Sequence, residues 1–291
     1  MVFLVGHRVI MVCLKPPLAE SSAGWPKILI VATVTSTNSL LSGYDAITHG
    51  CGVVDRSARG KLALSGPGAK GFLQGQVSND VESLRPGSGC YAAFLTPKGK
   101  MLGDVRILDA GAEILLDTER VALQELFNMV RRFSIGFELE LHKRTLECGL
   151  LSLLGPSAAA VAGVAGELAD AEHAHLPVAI GGVAARAIRT DCGIDLLCAA
   201  DDLPVLAAAL EDAGAVPVTE AVAEVLRVER GRPRYGVDLD DSVIPQEAGL
   251  NGRAVSFTKG CYVGQETVAL AGRDSTAEVV ELPFSGGDEP V

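Results

Sequence analysis

The sequence predicts an α+β protein of two layered units. Two features predict it: from Tyr44 onward, short strands, Gly-rich turns and amphipathic helical stretches alternate, and this strand–turn–helix grammar appears once in each half of the chain. In the first half, Lys61-Leu62-Ala63-Leu64-Ser65 alternates as a strand and stops at the turn Gly66-Pro67-Gly68. Phe72, Leu73, Val77 and Val81 then carry helical spacing over residues 69–84. Cys90 to Leu95 and Met101 to Leu108 read as a strand pair across Thr96-Pro97-Lys98-Gly99-Lys100. A strand at 113–117, a helix marked by Val121 to Val130 and a strand at 137–142 complete this half. In the second, the strand Leu150 to Leu154 leads through Gly155-Pro156 into an Ala-rich surface helix over 157–171. Strands at 183–189 and 194–198 follow, then helices at 203–213 and 221–229, and no sequence repeat is visible. The units are therefore expected at 42–148 and 149–270, with a short tail at 271–291. Residues 1–41 read as an extension of doubtful structure, an over-called start being favoured over a weak targeting segment.

Composition narrows the class. A chain of 291 residues has room for two compact domains. With 48% hydrophobic and only 4% aromatic residues, its core must be built from Ala, Val, Leu and Ile. A net charge of −11 repels phosphate backbones and argues against general nucleic-acid binding. The one dense basic cluster, Arg227, Arg230, Arg232 and Arg234, is interrupted by Glu229. Seven cysteines without a C-x-x-C pair form neither a disulfide framework nor a local zinc site, so reduced thiols in the cytoplasm are expected. No apolar stretch reaches the roughly 18 residues a spanning helix needs, so no membrane partner is expected.

Among local motifs, Gly66 to Gly71 lacks the Gly-Lys-Ser/Thr ending of a phosphate loop. Asp238, Asp240 and Asp241 lack the central Gly and distal Glu of a calcium loop, so no metal site is assigned. On the helix at 221–230, Val222, Val225 and Leu226 define an apolar face with Glu229 projecting from its middle. Glu229 then has a structural partner, binds a ligand, or escapes to solvent at the helix end. Arg227 lies on the other side, where an ion pair with Glu224 competes with a ligand role. The most informative segment is Lys259-Gly260-Cys261-Tyr262-Val263-Gly264-Gln265-Glu266. Two glycines permit a tight backbone, and Lys259 two residues before Cys261 could favour its thiolate. The alternative is a cysteine that merely packs.

Residues Lys259 to Glu266 match the K-G-C-Y-x-G-Q-E signature of YgfZ-type proteins, and the chain resembles that family over roughly Tyr44 to Val268. The stretch Phe72 to Val81 resembles the family's N-terminal helix motif. Arg227 to Gly231, Tyr235 to Asp238 and Ile244 to Leu250 resemble stretches shared with aminomethyltransferases. The resemblance implies an aminomethyltransferase-like α+β ring scaffold that encloses a tetrahydrofolate pocket. It also implies a role in assembly or repair of iron–sulfur proteins, with carrier or client proteins as partners and an indirect effect on tRNA modification. The family's functional positions fall on Cys261 and Asp104, and its folate-site positions on Asn79, Asp104, Arg227, Glu229, Lys259 and Tyr262. Two departures from aminomethyltransferases concern catalysis. Their Asp-Asp pair is here Gly103-Asp104, and their R-T-G-Y-T-G-E loop is here Arg189 to Asp195, without the tyrosine or glutamate. Losing proton carriers argues against turnover of its own. About two dozen residues follow Glu266, too few for the family's C-terminal barrel, which is expected to be largely missing. A folate-dependent aminomethyltransferase or demethylase, and a folate-independent scaffold for cluster carriers, are the alternatives.

Overall fold

A computed structural model describes residues 2–5, 8–11 and 28–273, with side chains from 39 to 270. About half of the expected N-terminal extension and most of the C-terminal tail therefore lie outside the described residues. In chain order the elements are β1 (Val2–Val5), β2 (Arg8–Met11), α1 (Ile28–His49), β3 (Gly52–Asp55), β4 (Gly60–Ser65), α2 (Ala69–Gln76), β5 (Gly89–Leu95), β6 (Met101–Asp109), β7 (Glu113–Thr118), α3 (Leu123–Phe133), β8 (Glu140–Lys143) and β9 (Cys148–Leu154). They continue with α4 (Ala158–Val161), β10 (His175–Ile180), β11 (Val183–Thr190), β12 (Gly193–Ala199), α5 (Leu203–Asp212), β13 (Val216–Pro217), α6 (Glu220–Glu229), α7 (Asn251–Ala254) and α8 (Gln265–Arg273).

The chain divides into two compact units, each made of two segments: 1–57 with 146–232, and 58–145 with 233–291. This differs from the contiguous division expected at 148/149. Strand pairing is the reason. β3 hydrogen-bonds to β9, nearly a hundred residues on, and carries the early segment into the first unit. Backbone bonds from Ser256 N to Ser78 O and from Met101 N to Val243 O draw the late segment into the second. α1 also begins within the expected extension.

In the first unit six strands run β10-β11-β12-β9-β3-β13, antiparallel except for β13 on β3. Alternate residues Leu151, Leu153, Ala187, Ile194 and Leu196 bury one sheet face against Ala158, Leu206 and Leu210. On the other face Val54 and Leu154 meet Ile47 of α1 and Val222 and Ala223 of α6. In the second unit five antiparallel strands run β5-β6-β7-β4-β8. Leu62, Leu64, Phe94, Val105, Ile107 and Leu116 turn one face toward Phe72 and Leu73 of α2 and Leu126 and Val130 of α3.

The two units share a topology that the sequence conceals. The order β5-β6-β7-β4 in one matches β10-β11-β12-β9 in the other, and both β4 and β9 run into a short helix. What survives in sequence is Leu62-x-Leu64-x-Gly66-Pro67 against Leu151-x-Leu153-x-Gly155-Pro156. Both glycines are forced. Gly66 has φ +99 and a Cβ there would lie 2.5 Å from the Glu138 carbonyl oxygen; Gly155 has φ +114 and a Cβ would lie 2.5 Å from that of Ile47.

Two helices are shorter than their apolar spacing predicts. The 69–84 helix stops at Gln76, because Val77 turns extended (φ −120, ψ 159) and bridges to Phe94. The 157–171 helix is a single turn, Ala158–Val161, ended by Gly163 and Gly166 at positive φ. Its later apolar residues Val164 and Leu168 are buried from the turn instead.

Gly66→Ala and Gly155→Ala should each lose about 1–3 kcal/mol to backbone strain, with steric overlap adding to it. Gly71→Ala in α2, where a Cβ meets open space, should gain up to about 1 kcal/mol. Denaturant unfolding of the three variants checks the contrast.

Candidate functional site

The five-stranded sheet of the second unit is apolar on one face and charged on the other. Cross-strand partners share a face, and the ladder pairs Tyr91 with Arg106, Arg106 with Asp117, and Asp117 with Lys61. Asp104, two residues before Arg106, joins the same face. Lys61, Asp104, Arg106, Asp117 and Glu119 are all buried, with Asp104 only 6% exposed. Buried charges persist only when paired. Arg59 donates to Asp117 Oδ1 at 2.9 Å and also to Glu119. Arg106 reaches Asp117 Oδ2 at 2.8 Å, and Arg234 reaches Glu119 Oε2 at 3.1 Å.

Asp104 stands apart from these ion pairs. The Tyr91 hydroxyl donates to its Oδ2 at 2.6 Å. Burial pushes the Asp104 carboxyl above the usual range; the Tyr91 bond and Arg59 offset this only in part, and Glu119 and Asp117 add to the rise. Burial acts upward on Asp117 too, but Arg59 and Arg106 outweigh it and hold that carboxyl below the usual range. The Tyr91 phenol is pushed well up, by burial first and by Asp104 next, so it remains a donor. Two carboxyls on adjacent strands are thus driven apart, the arrangement that equips one group to carry a proton while its neighbour stays ionised. The other half of the expected acidic pair is accounted for sterically. Gly103 faces the apolar side, where a Cβ would lie 2.6 Å from the Phe94 ring and 2.7 Å from the Ala122 Cβ. A carboxylate at 103 would point into the core, so its replacement takes nothing from the charged face.

The signature segment belongs to the same unit and spans the connection between α7 and α8. Tyr262 is buried in the core. Gly264 sits at φ +83, where a Cβ would lie 2.6 Å from the Thr96 carbonyl oxygen. Between these anchors Cys261 is exposed and free. Lys259 makes its hydrogen bonds away from the thiol. Its Nζ donates to the carbonyls of Gln74 at 2.6 Å, Val77 at 2.7 Å and Asn79 at 2.9 Å, which uses all three of its N–H bonds. Burial draws this ammonium down to about 8, against the opposing pull of Asp80.

Asn79 joins the two regions. Its Nδ2 donates to the Tyr91 carbonyl at 2.8 Å and the Arg253 carbonyl at 3.1 Å, and its Oδ1 accepts from the Asp80 amide at 2.9 Å. Arg253 lies over the Tyr91 ring at 5.0 Å. Hydrogen bonds therefore run from Lys259 through Asn79 and Tyr91 to Asp104. Sequence reasoning missed Tyr91 and Arg253. Tyr91 was legible in principle as the polar member of the alternating strand 90–95, whereas no local pattern marks Arg253.

Arg227 and Glu229 belong to the first unit. Glu229 is exposed rather than set in a buried face, and the Tyr44 hydroxyl donates to its two oxygens at 2.8 and 2.9 Å. At the last residue of α6 the apolar stripe has run out. Arg227 pairs with Glu224 at 2.9 Å and donates to the Arg232 carbonyl. Among the described residues no group of three or more His, Cys, Asp or Glu side chains is placed to hold a metal ion. No helix there is long and apolar enough to cross a membrane.

Comparison with known proteins agrees with this architecture. Residues 33–259 match the family described as GCVT N-terminal domain. The chain belongs to that family. Its relatives include an aminomethyltransferase of Rubrobacter xylanophilus, 29% identical over 232 residues that cover 77% of this chain and 62% of the relative. One from Geobacillus kaustophilus is 30% identical over 244 residues, covering 78% and 66%. An Arabidopsis thaliana protein with a provisional transferase name and a chloroplastic label is 28% identical over 236 residues, covering 77% and 54%. The chain thus spans between about half and two thirds of these relatives' lengths. The glycine cleavage system aminomethyltransferase T from Bartonella henselae superposes with a TM-score of 0.70 at 24% identity, covering 80% of this chain and 66% of that one. The fold of this GCVT-family chain is accordingly the aminomethyltransferase-like one, mixed α/β with two sheets.

Asp104→Asn keeps an acceptor for Tyr91 and removes the buried charge. A carboxyl raised on folding binds its proton more tightly in the folded state, so the wild type loses stability as pH rises from the ordinary carboxylate range toward the raised value. The Asn variant should lack this loss, and its advantage should grow with pH across that window; urea unfolding between pH 4 and 8 measures it. Glu229→Ala should cost less than about 1 kcal/mol, as expected of an exposed pair. A larger drop in thermal unfolding would contradict the exposed setting.

Proposed function

We propose that this chain is a tetrahydrofolate-binding accessory protein of the YgfZ type, which supports assembly or repair of iron–sulfur proteins in the cytoplasm and through them some tRNA modification. The setting of Cys261 carries the reading. Its thiol is exposed while Lys259, two residues before it, and Tyr262, directly after it, are fixed in the unit. A thiol held this way can meet a carrier or client protein without local unfolding.

The chemistry of Asp104 supports a reduced folate as the ligand. A pterin presents N–H donors that call for a carboxyl acceptor, and Asp104 keeps Oδ1 outside its bond to Tyr91. Folate would contribute a one-carbon carrier, while Tyr91 and Asn79 would hold the carboxyl in place. One observation favours a second reading, a folate-dependent aminomethyltransferase or demethylase. Asp104 has the raised titration of a proton carrier, and Gly103 removes nothing from its face.

Calorimetric titration with tetrahydrofolate is expected to show measurable, modest binding, weakened by about tenfold in Asp104→Ala through loss of one charged or polar contact. No heat of binding would leave the folate-independent scaffold. Cys261→Ser is expected to fold normally yet fail to restore a sensitive iron–sulfur enzyme in a strain lacking the family member. Full rescue at normal abundance would remove the accessory role. Steady transfer from an aminomethyl-lipoyl carrier protein to tetrahydrofolate would select the transferase instead.

A further inference from the structure

The last turn of α2 has no basic residue of its own. Its terminal carbonyls, which no intrahelical N–H can reach, are met by the signature loop instead. Lys259 Nζ donates to Gln74 O at 2.6 Å, and the Val263 amide donates to Gly75 O at 3.3 Å. Lys259 then continues to Val77 O and Asn79 O, where the chain leaves the helix. Two donors, two residues before and two residues after Cys261, therefore seat on one helix end. Gly260, between Lys259 and Cys261, is exposed, and a Cβ there would meet open space. The ammonium also lies 5.0 Å from the centre of the Tyr262 ring.

We propose that Lys259 is a positioning residue, which fixes where Cys261 stands by closing the C-terminal end of α2 and does not ionise the thiol. The physical reason for this seating is saturation. A primary ammonium has three N–H bonds, and three backbone carbonyls take them at 2.6–2.9 Å. A cation against the C-terminal end of a helix is further favoured by the helix dipole. Burial draws this ammonium down to about 8, and the charges of Asp80 and Glu82 oppose that fall, so the three-donor seat is that of the charged form below this pH. The inference concerns the loop on which the proposed function rests, but its test requires neither folate nor an iron–sulfur partner.

The test compares wild type, Lys259→Met and Lys259→Arg in the full chain by two readings. The first is hydrogen exchange of the loop amides, including Ser256, Lys259, Val263 and Gln265. The second is the pH profile of Cys261 alkylation by iodoacetamide. Loss of the clamp should cut protection of the loop amides by about tenfold or more in Lys259→Met while β6 and β7 amides keep theirs. Lys259→Arg, which retains donors for the carbonyls, should restore part of it. The midpoint of the alkylation profile should be unmoved in both variants. A midpoint raised in Lys259→Met, or loop protection there equal to wild type, would overturn the proposal. If Lys259→Met does not fold, Lys259→Gln carries the same two readings.

Discussion

Helix α2 ends in carbonyl groups that it cannot satisfy by itself, and much of the second unit is arranged around that deficit. The helix is eight residues long and stops where Val77 turns extended to bridge Phe94. An unpaired buried carbonyl costs free energy comparable to a lost hydrogen bond. Nearly two hundred residues later, Lys259 and Val263 arrive to supply the missing donors. That long-range closure ties the late segment to the early one and leaves Cys261 outside, between two anchored neighbours. The exposure of the thiol is thus a by-product of where the donors must go.

The same closure reaches the charged face of the sheet. Asn79, whose carbonyl accepts from Lys259, spends its side-chain amide on Tyr91 and Arg253, and Tyr91 in turn holds Asp104. Each step is one direct contact. The face is internally balanced in a particular way: arginines claim Asp117 and Glu119, and Asp104 receives a neutral phenol. A carboxyl given a phenol instead of a guanidinium keeps the cost of desolvation, which is why burial raises it while its neighbour falls. The chemistry of this face therefore resides in the choice of partner for each carboxyl more than in the number of carboxyls present.

How much of this was legible from residues alone varies with the range of the interaction. The hairpin across Thr96 to Lys100, the strands at 61–65 and 150–154 and the helix over 221–229 follow from alternation, turn chemistry and helical spacing, all local effects, and the structure has them within a residue or two. The lengths of α2 and α4 did not follow, because apolar spacing continues past both stops. Val81 and Leu168 are buried, but from turns. Glu229 shows the same limit from the other side. Its phase on the helix points toward the apolar stripe, yet the stripe ends before it and Tyr44 meets it at the surface.

By itself the sequence determined the α+β class, the glycine-punctuated strand ends, and the octapeptide that marks Cys261 as the cysteine to watch. Local sterics and short-range periodicity carry that information, and both are written in neighbouring residues. Only the tertiary structure decided that Lys259 serves a helix end, that Gly103 is excluded from bearing a side chain by Phe94 and Ala122, and that Tyr91 partners Asp104. Each of those outcomes depends on which donor, ring or carboxyl is brought within about 3 Å by pairing between distant strands and segments, a hydrogen-bonding range that no spacing along the chain encodes.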